Sequence, residues 1–329
     1  MNQPLISVII PVYQGERLII GAVMSALRQT HQHLEVFVVD DGSSDGTQAA
    51  LATIDDARLT VLKQSNAGTA AARNNALARA SGAYVAFLDS DDRWLPDKLE
   101  TELALLQSAP NPIAVAYSAH FAVDDRGRLL HAAQRRSVHG MVLDLLLDGD
   151  DFLMPSLCLF DRRIFDDIGH FNVGRYHEDH EFIIRVCTKY PIYSTGRRLA
   201  VYRQSTSGKC RAILSEYDRA RREELSLLDD VAEILTVDQL ARLRGNVLRS
   251  LYCRFLMYGF RSSARKMLPD VNLQELKRSK KGLLAVGFAK LGVNLLLPAR
   301  VVVQSAYRIF LSRWWRRQLS DLHMDLRYD

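Results

Sequence analysis

The chain lacks the short motifs that identify the commonest nucleotide-binding and metal-binding proteins. No G-x-G-x-x-G follows the first predicted strand and no G-x-x-x-x-G-K-[ST] occurs anywhere, which argues against a dehydrogenase and a P-loop NTPase. None of the cysteines stands in a C-x-x-C pair, so neither a zinc site nor a disulfide framework is indicated. We therefore expect reduced thiols in a cytoplasmic setting; the cysteines are Cys158, Cys187, Cys210 and Cys253.

Long apolar runs are scarce as well, which bears on targeting and membrane insertion. Residues 5–10 are apolar, but the run is short and no basic residue precedes it, so we expect no signal peptide. Residues 283–297 and 299–312 are apolar too, yet each is shorter than the roughly 20 residues that span a bilayer. With the basic segment 313–317, which contains two tryptophans, they could form a helical hairpin in one leaflet. A helical subdomain, packed on the rest of the chain or on a second copy, is the alternative.

Charge is unevenly distributed along the 329 residues, which are enough for one large domain or two smaller ones. The composition is that of an ordinary globular protein, and the formal net charge is +5. Residues 261–329 carry a net +9, whereas residues 1–260 carry a net −4. A basic C-terminal part on an acidic body predicts an anionic partner for that part, either a membrane or a nucleic acid.

Residues 1–100 show a regular alternation of short apolar runs and helical patterns. Continuous apolar runs that alternate with helices predict a parallel sheet covered on both faces. The predicted strands are 5–10, 34–39, 59–62 and 84–88, and the predicted helices are 21–28, 47–54 and 69–80.

Three of the predicted strands are followed directly by polar groups. In such sheets ligands bind beyond the carboxyl ends of the strands, so these groups should meet at one edge. Their convergence predicts a ligand site. The segments are Pro11-Val12-Tyr13, Asp40-Asp41 and Asp89-Ser90-Asp91-Asp92.

The acidic cluster after the fourth strand has two interpretations. Its carboxylates could cap the following helix, which Pro96 and Asp97 would begin. Alternatively, Asp89 and Asp91, two apart on an extended chain, could hold one divalent cation. These residues alone leave both interpretations open.

The pattern changes beyond residue 100. Residues 113–118 and 152–160 are apolar, and a turn at 124–127 predicts a hairpin. Residues 177–190 have helical periodicity, and the chain beyond about residue 205 is almost wholly helical in pattern.

Three segments resemble a known family. They are ISVIIPVYQGERLIIGAVMSALRQTHQHLEVFVVDDGSSDGT (6–47), NAGTAAARNNALARASGAYVAFLDSDDRWLPDKLE (66–100) and HEDHEFIIRV (177–186). In order and spacing they are similar to the family 2 glycosyltransferases, and the resemblance covers about residues 5–205. It implies the α/β GT-A fold, with a mostly parallel central sheet, and inverting transfer from a nucleotide-activated sugar. It also implies a bacterial type with a helical C-terminal extension.

The resemblance assigns the nucleotide pocket to the first two strand ends. Pro11, Tyr13 and Glu16 match the family segment that cradles the base and ribose. Asp41 matches the aspartate that contacts the base. Taken alone, Asp40-Asp41 could equally be a polar turn.

The resemblance also implies a metal site. Asp89-Ser90-Asp91 matches the family's D-x-D element, so Asp89 and Asp91 are predicted ligands of Mn²⁺ or Mg²⁺. Asp92 is expected to reach the ribose and diphosphate with them. Gly68 and Arg73 fall in a block that lines the nucleotide pocket, although Arg73 could instead cap a solvated helix face.

Asp179 matches the general base of the family, and the family often has Trp where this chain has His180. The alternatives are that Glu178 and Asp179 only cap a helix, or that His177 and His180 join them in a metal cluster. Arg203 and Lys209 flank a serine-rich stretch that could be a diphosphate lid or merely a flexible basic loop.

We therefore predict a catalytic domain at residues 1–205, with a nucleotide-sugar-binding half at 1–100 and an acceptor-binding half at 101–205. A basic helical extension at 206–329 follows. The expected partners are a nucleotide-sugar donor, taken as a UDP-sugar, a glycan or lipid-linked acceptor, and a membrane surface. No nucleic acid is expected, because the basic residues of the extension are interspersed with apolar runs.

The predicted location is cytoplasmic and peripheral on the inner face of the membrane, and a homo-oligomer is left open. Two rival functions remain. One is a phosphohydrolase that uses the Asp cluster. In such enzymes the nucleophilic Asp follows the first strand, whereas FLDSDD ends a later strand of this chain. The other is a non-catalytic sugar-nucleotide-binding scaffold.

Overall fold

The computed structural model describes residues 3–133, 138–149, 152–204, 213–257 and 260–271. These residues form one mixed sheet surrounded by helices. The strands are β1 (Ile6–Val12), β2 (Leu34–Asp40), β3 (Leu59–Lys63), β4 (Tyr84–Phe87), β5 (Arg93–Trp94), β6 (Val115–Val123), β7 (Leu129–Ala132), β8 (His139–Gly140), β9 (Cys158–Asp161) and β10 (Ile192–Arg203). The helices are α1 (Ile19–Leu27), α2 (Thr47–Leu51), α3 (Thr69–Leu77), α4 (Lys98–Ser108), α5 (Leu143–Leu147), α6 (Arg163–Ile168), α7 (Glu178–Lys189), α8 (Tyr217–Asp230), α9 (Val237–Met257) and α10 (Arg261–Met267).

The first half of the sheet contains four parallel strands in the order β3-β2-β1-β4. Every residue of β1 is buried, as its continuous apolar sequence predicts for a strand covered on both faces. The register places Val12 of β1 beside Asp40 of β2, and Ile9 of β1 beside Phe87 of β4. The carboxyl ends of these strands therefore meet at one edge, as predicted.

The second half of the sheet is mixed. β9 runs antiparallel between β4 and β6, whereas β6 and β10 are parallel to each other. The hairpin predicted around residues 124–127 is present, because β6 and β7 pair antiparallel across it. The parallel arrangement expected from the sequence thus holds for β1 to β4 and for the β6–β10 pair.

The described helices beyond residue 213 pack on the sheet-containing part of the chain. An apolar cluster joins Leu227 of α8 and Leu243 of α9 to Ile184 of α7 and Leu147 of α5. It also contains Val231, which directly follows α8. The helical region therefore shares a buried core with helices α5 and α7. The predicted domain boundary near residue 205 falls just after β10 and stays a prediction.

Within the described ranges, no helix is both long and apolar enough to cross a membrane. The segment predicted to contact a membrane, residues 283–317, lies outside those ranges. The hairpin and the packed-subdomain interpretations therefore both stay predictions.

Candidate active site

A cavity of about 320 Å³ lies beyond the carboxyl ends of β1, β2 and β4. The loops after these strands form part of its wall, and the first turns of α3 and α7 form the rest. This is the edge at which the sequence predicts a ligand site. The lining residues are Pro11, Val12, Tyr13, Asp41, Thr69, Ala72, Arg73, Asp89, Ser90, Asp91, Glu178 and Asp179.

The loop after β1 presents an aromatic ring at the cavity. Tyr13 leaves 54% of its surface exposed, so its ring is accessible to a planar ligand. Glu16 is not among the lining residues. Its carboxylate accepts a hydrogen bond from the Gly46 N–H at 3.2 Å, which ties the loop after β1 to the loop after β2. Glu16 thus holds the shape of these loops in this structure.

Asp41 is buried, and both of its carboxylate oxygens are hydrogen-bonded within the protein. Oδ1 accepts from Gln64 Nε2 and from the Ala67 N–H, each at 2.8 Å. Oδ2 accepts from the Gly68 N–H at 2.8 Å. Gly68 has φ +90°, a conformation that glycine adopts at little cost, and it caps α3. Asp41 therefore fixes the turn into α3 as well as lining the cavity.

Arg73 places a buried positive charge against the cavity. Its Nη2 donates to Asp89 Oδ1 at 2.9 Å, and its guanidinium carbon lies 5.1 Å from the centre of the Phe171 ring. Only 4% of the residue is exposed. Among the described residues, Nε and Nη1 of Arg73 have no hydrogen-bond partner. Both nitrogens are enclosed by the protein, so Arg73 acts on the cavity through its positive charge, which favours an anionic ligand.

The three carboxylates after β4 crowd one another. Burial raises the pKa of Asp91 to about 6, and the charge of Asp89 adds to this shift. Burial also raises the pKa of Asp92 well above its usual range, with further contributions from Asp89 and Asp91. Asp92 is not a lining residue, and its Oδ1 accepts from the Arg203 N–H at 2.8 Å. The cluster is thus more than a helix cap, since Asp89 and Asp91 both line the cavity.

Asp89 and Asp91 fit a divalent cation that takes its other ligands from substrate and water. Within the part of the chain that the structure describes, no group of three or more His, Cys, Asp or Glu side chains forms a ready-made metal site. This finding counts against the cluster of His177 and His180 considered above. Mg²⁺ is commonly held by one or two carboxylates together with substrate phosphates. Burial and the nearby charge of Asp89 both raise the pKa of Asp91, and a bound cation would offset both costs.

Asp179 lies in the first turn of α7 and lines the cavity that Asp89 and Asp91 also line. Its Oδ1 accepts from the backbone N–H of His180 at 2.8 Å, so the side chain is held by its own helix turn. The structure brings Asp179 into the same cavity as Asp89, Asp91 and Arg73, as predicted, and adds Glu178 beside it.

Arg203, which flanks the stretch interpreted above as a lid or a basic loop, lies in a strand. It is the last residue of β10 and is 6% exposed, and its Nη1 donates to the Asp125 carbonyl at 2.7 Å. The physical reason is that residues 201–203 pair with 121–123 of β6, which extends the strand. Lys209, the other predicted lid residue, lies outside the described residues.

Sequence reasoning missed several residues near the cavity. Thr69 and Ala72 share the first turns of α3 with Arg73, so a search of flanking positions could have found them. Glu178, considered above only as a helix cap or a metal-cluster residue, also lines the cavity. Tyr202 had no signal of this kind. Burial raises the pKa of its hydroxyl, and the charges of Asp92 and the neighbouring acids raise it further. The Tyr202 hydroxyl therefore lies close enough to the acidic cluster to be affected by its charge.

Sequence comparison links the chain to a large group of enzymes. The family model described as glycosyl transferase family 2 matches residues 7–169. An uncharacterized glycosyltransferase of Haemophilus influenzae is 43% identical over 187 residues, which cover 56% of this chain and 72% of the relative. The Escherichia coli enzyme UDP-Glc:alpha-D-GlcNAc-diphosphoundecaprenol beta-1,3-glucosyltransferase is 42% identical over 107 residues, or 32% of this chain and 42% of that protein. The chain spans 24% to 42% of the length of three further curated relatives.

Structural comparison agrees on the fold. A mannosyltransferase of Pyrobaculum calidifontis, solved in complex with GDP-Man and Mn²⁺, superposes with a TM-score of 0.53 at 18% identity. The superposition covers 98% of this chain and 85% of that one. The fold is the GT-A fold predicted from the sequence.

Proposed function

The chain belongs to glycosyl transferase family 2, and on that premise we propose that it is an inverting glycosyltransferase. It moves a sugar from a nucleotide-diphosphate donor to a hydroxyl of a glycan or lipid-linked saccharide. The observation that carries this proposal is the single cavity that contains an acid pair, a buried arginine and a separate carboxylate. These are the groups needed to hold a diphosphate and to remove a proton from an acceptor.

In the proposed mechanism, Asp89 and Asp91 would hold a divalent cation, Mn²⁺ or Mg²⁺. When bound, this ion supplies positive charge that stabilises the negative charge developing on the leaving group. Arg73 contributes a second positive charge beside the cavity. Tyr13 and Pro11 line the part of the cavity assigned to the base and ribose, and Asp41 fixes the loop beside them.

Asp179 acts as the general base in this proposal. It removes the proton of the acceptor hydroxyl as the oxygen attacks the anomeric carbon, from the face opposite the departing diphosphate. Such a single displacement inverts the anomeric centre and needs no covalent nucleophile. Asp179 is suited to this role because it faces the cavity from α7, whereas the diphosphate residues follow β4.

The donor and acceptor are proposed from relatives and from charge. We take UDP as the nucleotide because the E. coli relative is named for UDP-Glc, and GDP as the alternative because the superposed mannosyltransferase was solved with GDP-Man. That E. coli relative is also named for a diphosphoundecaprenol acceptor. Together with the net +9 charge of residues 261–329, this supports a lipid-linked acceptor and a peripheral position on the inner face of the cell membrane.

A transfer assay with product analysis tests the proposal. Purified protein is incubated with UDP-glucose, UDP-GlcNAc or GDP-mannose, a GlcNAc-diphospholipid acceptor and Mn²⁺, and the anomeric configuration of the product is read by NMR. We expect an α-linked donor to give a β-linked product. Asp179→Asn should lower kcat by at least about 100-fold, as loss of a general base does. The matched control is Asp167→Asn, because Asp167 is exposed and pairs with Lys189 and Tyr190 outside the cavity.

The outcomes separate the rival functions. A product that retains the anomeric configuration of the donor would exclude a single displacement. Full activity of the Asp179→Asn variant would exclude Asp179 as the general base. Hydrolysis of a phosphate ester without sugar transfer would favour a phosphohydrolase. Binding of donor without any turnover, for every acceptor tried, would favour a scaffold.

A further inference from the structure

Helix α8 of the C-terminal region reaches the segment that carries the candidate base. Glu224 of α8 is 3% exposed, and its Oε2 lies 3.3 Å from His177 Nε2. Six residues further along the same helix, Asp230 Oδ1 lies 3.1 Å from an Arg175 guanidinium nitrogen. Two acids of α8 thus hold two basic residues that immediately precede α7.

The Glu224 contact is built as a buried charge network. Arg254 of α9 also pairs with the Glu224 carboxylate. Burial alone would raise the pKa of Glu224, but the adjacent His177 ring and the charge of Arg254 outweigh it, so its pKa is lowered. The carboxylate is therefore ionised at neutral pH and binds both groups. The His177 ring also packs on Tyr176, with ring centres 4.6 Å apart.

This network bears on Asp179 because that side chain has no long-range anchor of its own in the described hydrogen bonds. Its hydrogen bond from the His180 N–H lies within the first turn of α7, so a shift of that turn would move the carboxylate with it. The turn begins at Glu178, directly after His177. The contacts of residues 175–177 therefore help to fix this turn, together with the buried apolar face of α7.

We propose that α8 is a positioning element for the catalytic base, and that Glu224 and Asp230 are positioning residues that act through Asp179. This inference rests on the proposed function for the role of Asp179, whereas the contacts themselves do not. The C-terminal helical region would then contribute to the geometry of the catalytic site. This role is separate from the membrane contact proposed for residues 283–317. A displacement of about 1 Å in a reacting group can cost on the order of 100-fold in rate, so a distant ion pair can control turnover.

The test compares Glu224→Gln and Asp230→Asn with Arg242→Gln in the full chain. Arg242 of α9 pairs with Asp144 and Asp148 at 2.6 and 2.9 Å, so this control also removes ion pairs between the helical region and the sheet-containing part. Neither partner of Arg242 lines the cavity. Thermal unfolding and nucleotide affinity are measured for every variant, and a variant is used only if it folds.

We expect Glu224→Gln and Asp230→Asn to lower kcat by about 10- to 100-fold while nucleotide affinity stays within about twofold. Amide hydrogen exchange of residues 177–182 should become faster in both variants and stay unchanged in Arg242→Gln. In an Asp179→Asn background, Glu224→Gln should cost no further activity, because both changes remove the same function.

Equal effects of Glu224→Gln and Arg242→Gln on kcat would overturn the inference, and so would unchanged exchange at 177–182. A further loss of activity in the double variant would also overturn it. If the wild-type protein transfers no sugar, the proposed function fails, and the exchange data alone still decide whether α8 positions this segment.

Discussion

Arg73 provides the sharpest single test of how the cavity recognises a diphosphate. Arg73→Gln removes the buried charge but keeps a polar side chain that can still reach part of the same space. Arg73 is 4% exposed, and it lines the same cavity as Asp89 and Asp91. The substitution also leaves Asp89 without the ion pair that joins these residues at 2.9 Å.

The magnitude follows from the kind of contact that is lost. A hydrogen bond to a charged group contributes about 1.5–3 kcal/mol, and each 1.4 kcal/mol is a factor of about ten in affinity. Loss of one such bond to a phosphate should therefore weaken UDP binding by about 10- to 150-fold. Uridine, which has no phosphate, should bind the variant within about threefold of its affinity for wild type.

Calorimetry with UDP and uridine, each with and without Mn²⁺, measures this difference. Arg79→Gln is the matched control, because Arg79 is exposed just after α3 and bonds to Asn75. If UDP and uridine lose affinity equally, Arg73 only shapes the pocket. If UDP affinity is unchanged, Arg73 does not contact the diphosphate and the assignment is wrong.

Three further predictions concern stability. Because burial raises the pKa of Asp91 from 3.8 to about 6, stability is highest with this group protonated and falls as pH rises through that window. Asp91→Asn should therefore be about 1–3 kcal/mol more stable than wild type in metal-free urea unfolding at pH 8, with no gain at pH 4; a gain of equal size at both pH values would refute this cause. Asp41→Ala leaves the Gly68 N–H without its acceptor, so it should destabilise the fold by about 1–3 kcal/mol, and an unchanged urea midpoint would contradict this. Gly82→Ala places a methyl group 2.6 Å from the Ser7 backbone nitrogen, so it should lower the free energy of unfolding by at least about 1–3 kcal/mol, and unchanged thermal unfolding would be inconsistent with the packing.

The sequence predicted the framework of the site because strand ends are set by local pattern. Continuous apolar runs identified β1, β2 and β4 to within two residues, so the polar groups that follow them could be placed at one edge. The D-x-D element and Asp179 could be named because their order along the chain resembles a family. The cavity contains them together.

Details that depend on distant contacts could not be predicted in this way. Asp41 was expected to face a base, and only the fold reveals that Gln64, Ala67 and Gly68 share its carboxylate. Arg203 was placed beside a loop because the stretch that follows it is serine-rich. Its pairing with β6 involves residues about 80 positions earlier, so no local pattern predicts it.

The role of α8 was likewise hidden from the sequence. Glu224 lies 47 positions beyond His177 in the chain, and no local pattern connects them. A contact of this kind is visible only once the helical region is packed on α7.

Nucleotide binding tests the central claim most directly. The purified protein is titrated with UDP, GDP and dTDP in the presence of Mn²⁺ and again in EDTA, alongside Asp91→Ala. The account predicts that one nucleotide binds in a metal-dependent manner and that the variant loses this binding. Binding that ignores both EDTA and Asp91→Ala would remove the metal from the mechanism, and no binding of any nucleotide would contradict the assignment of the cavity.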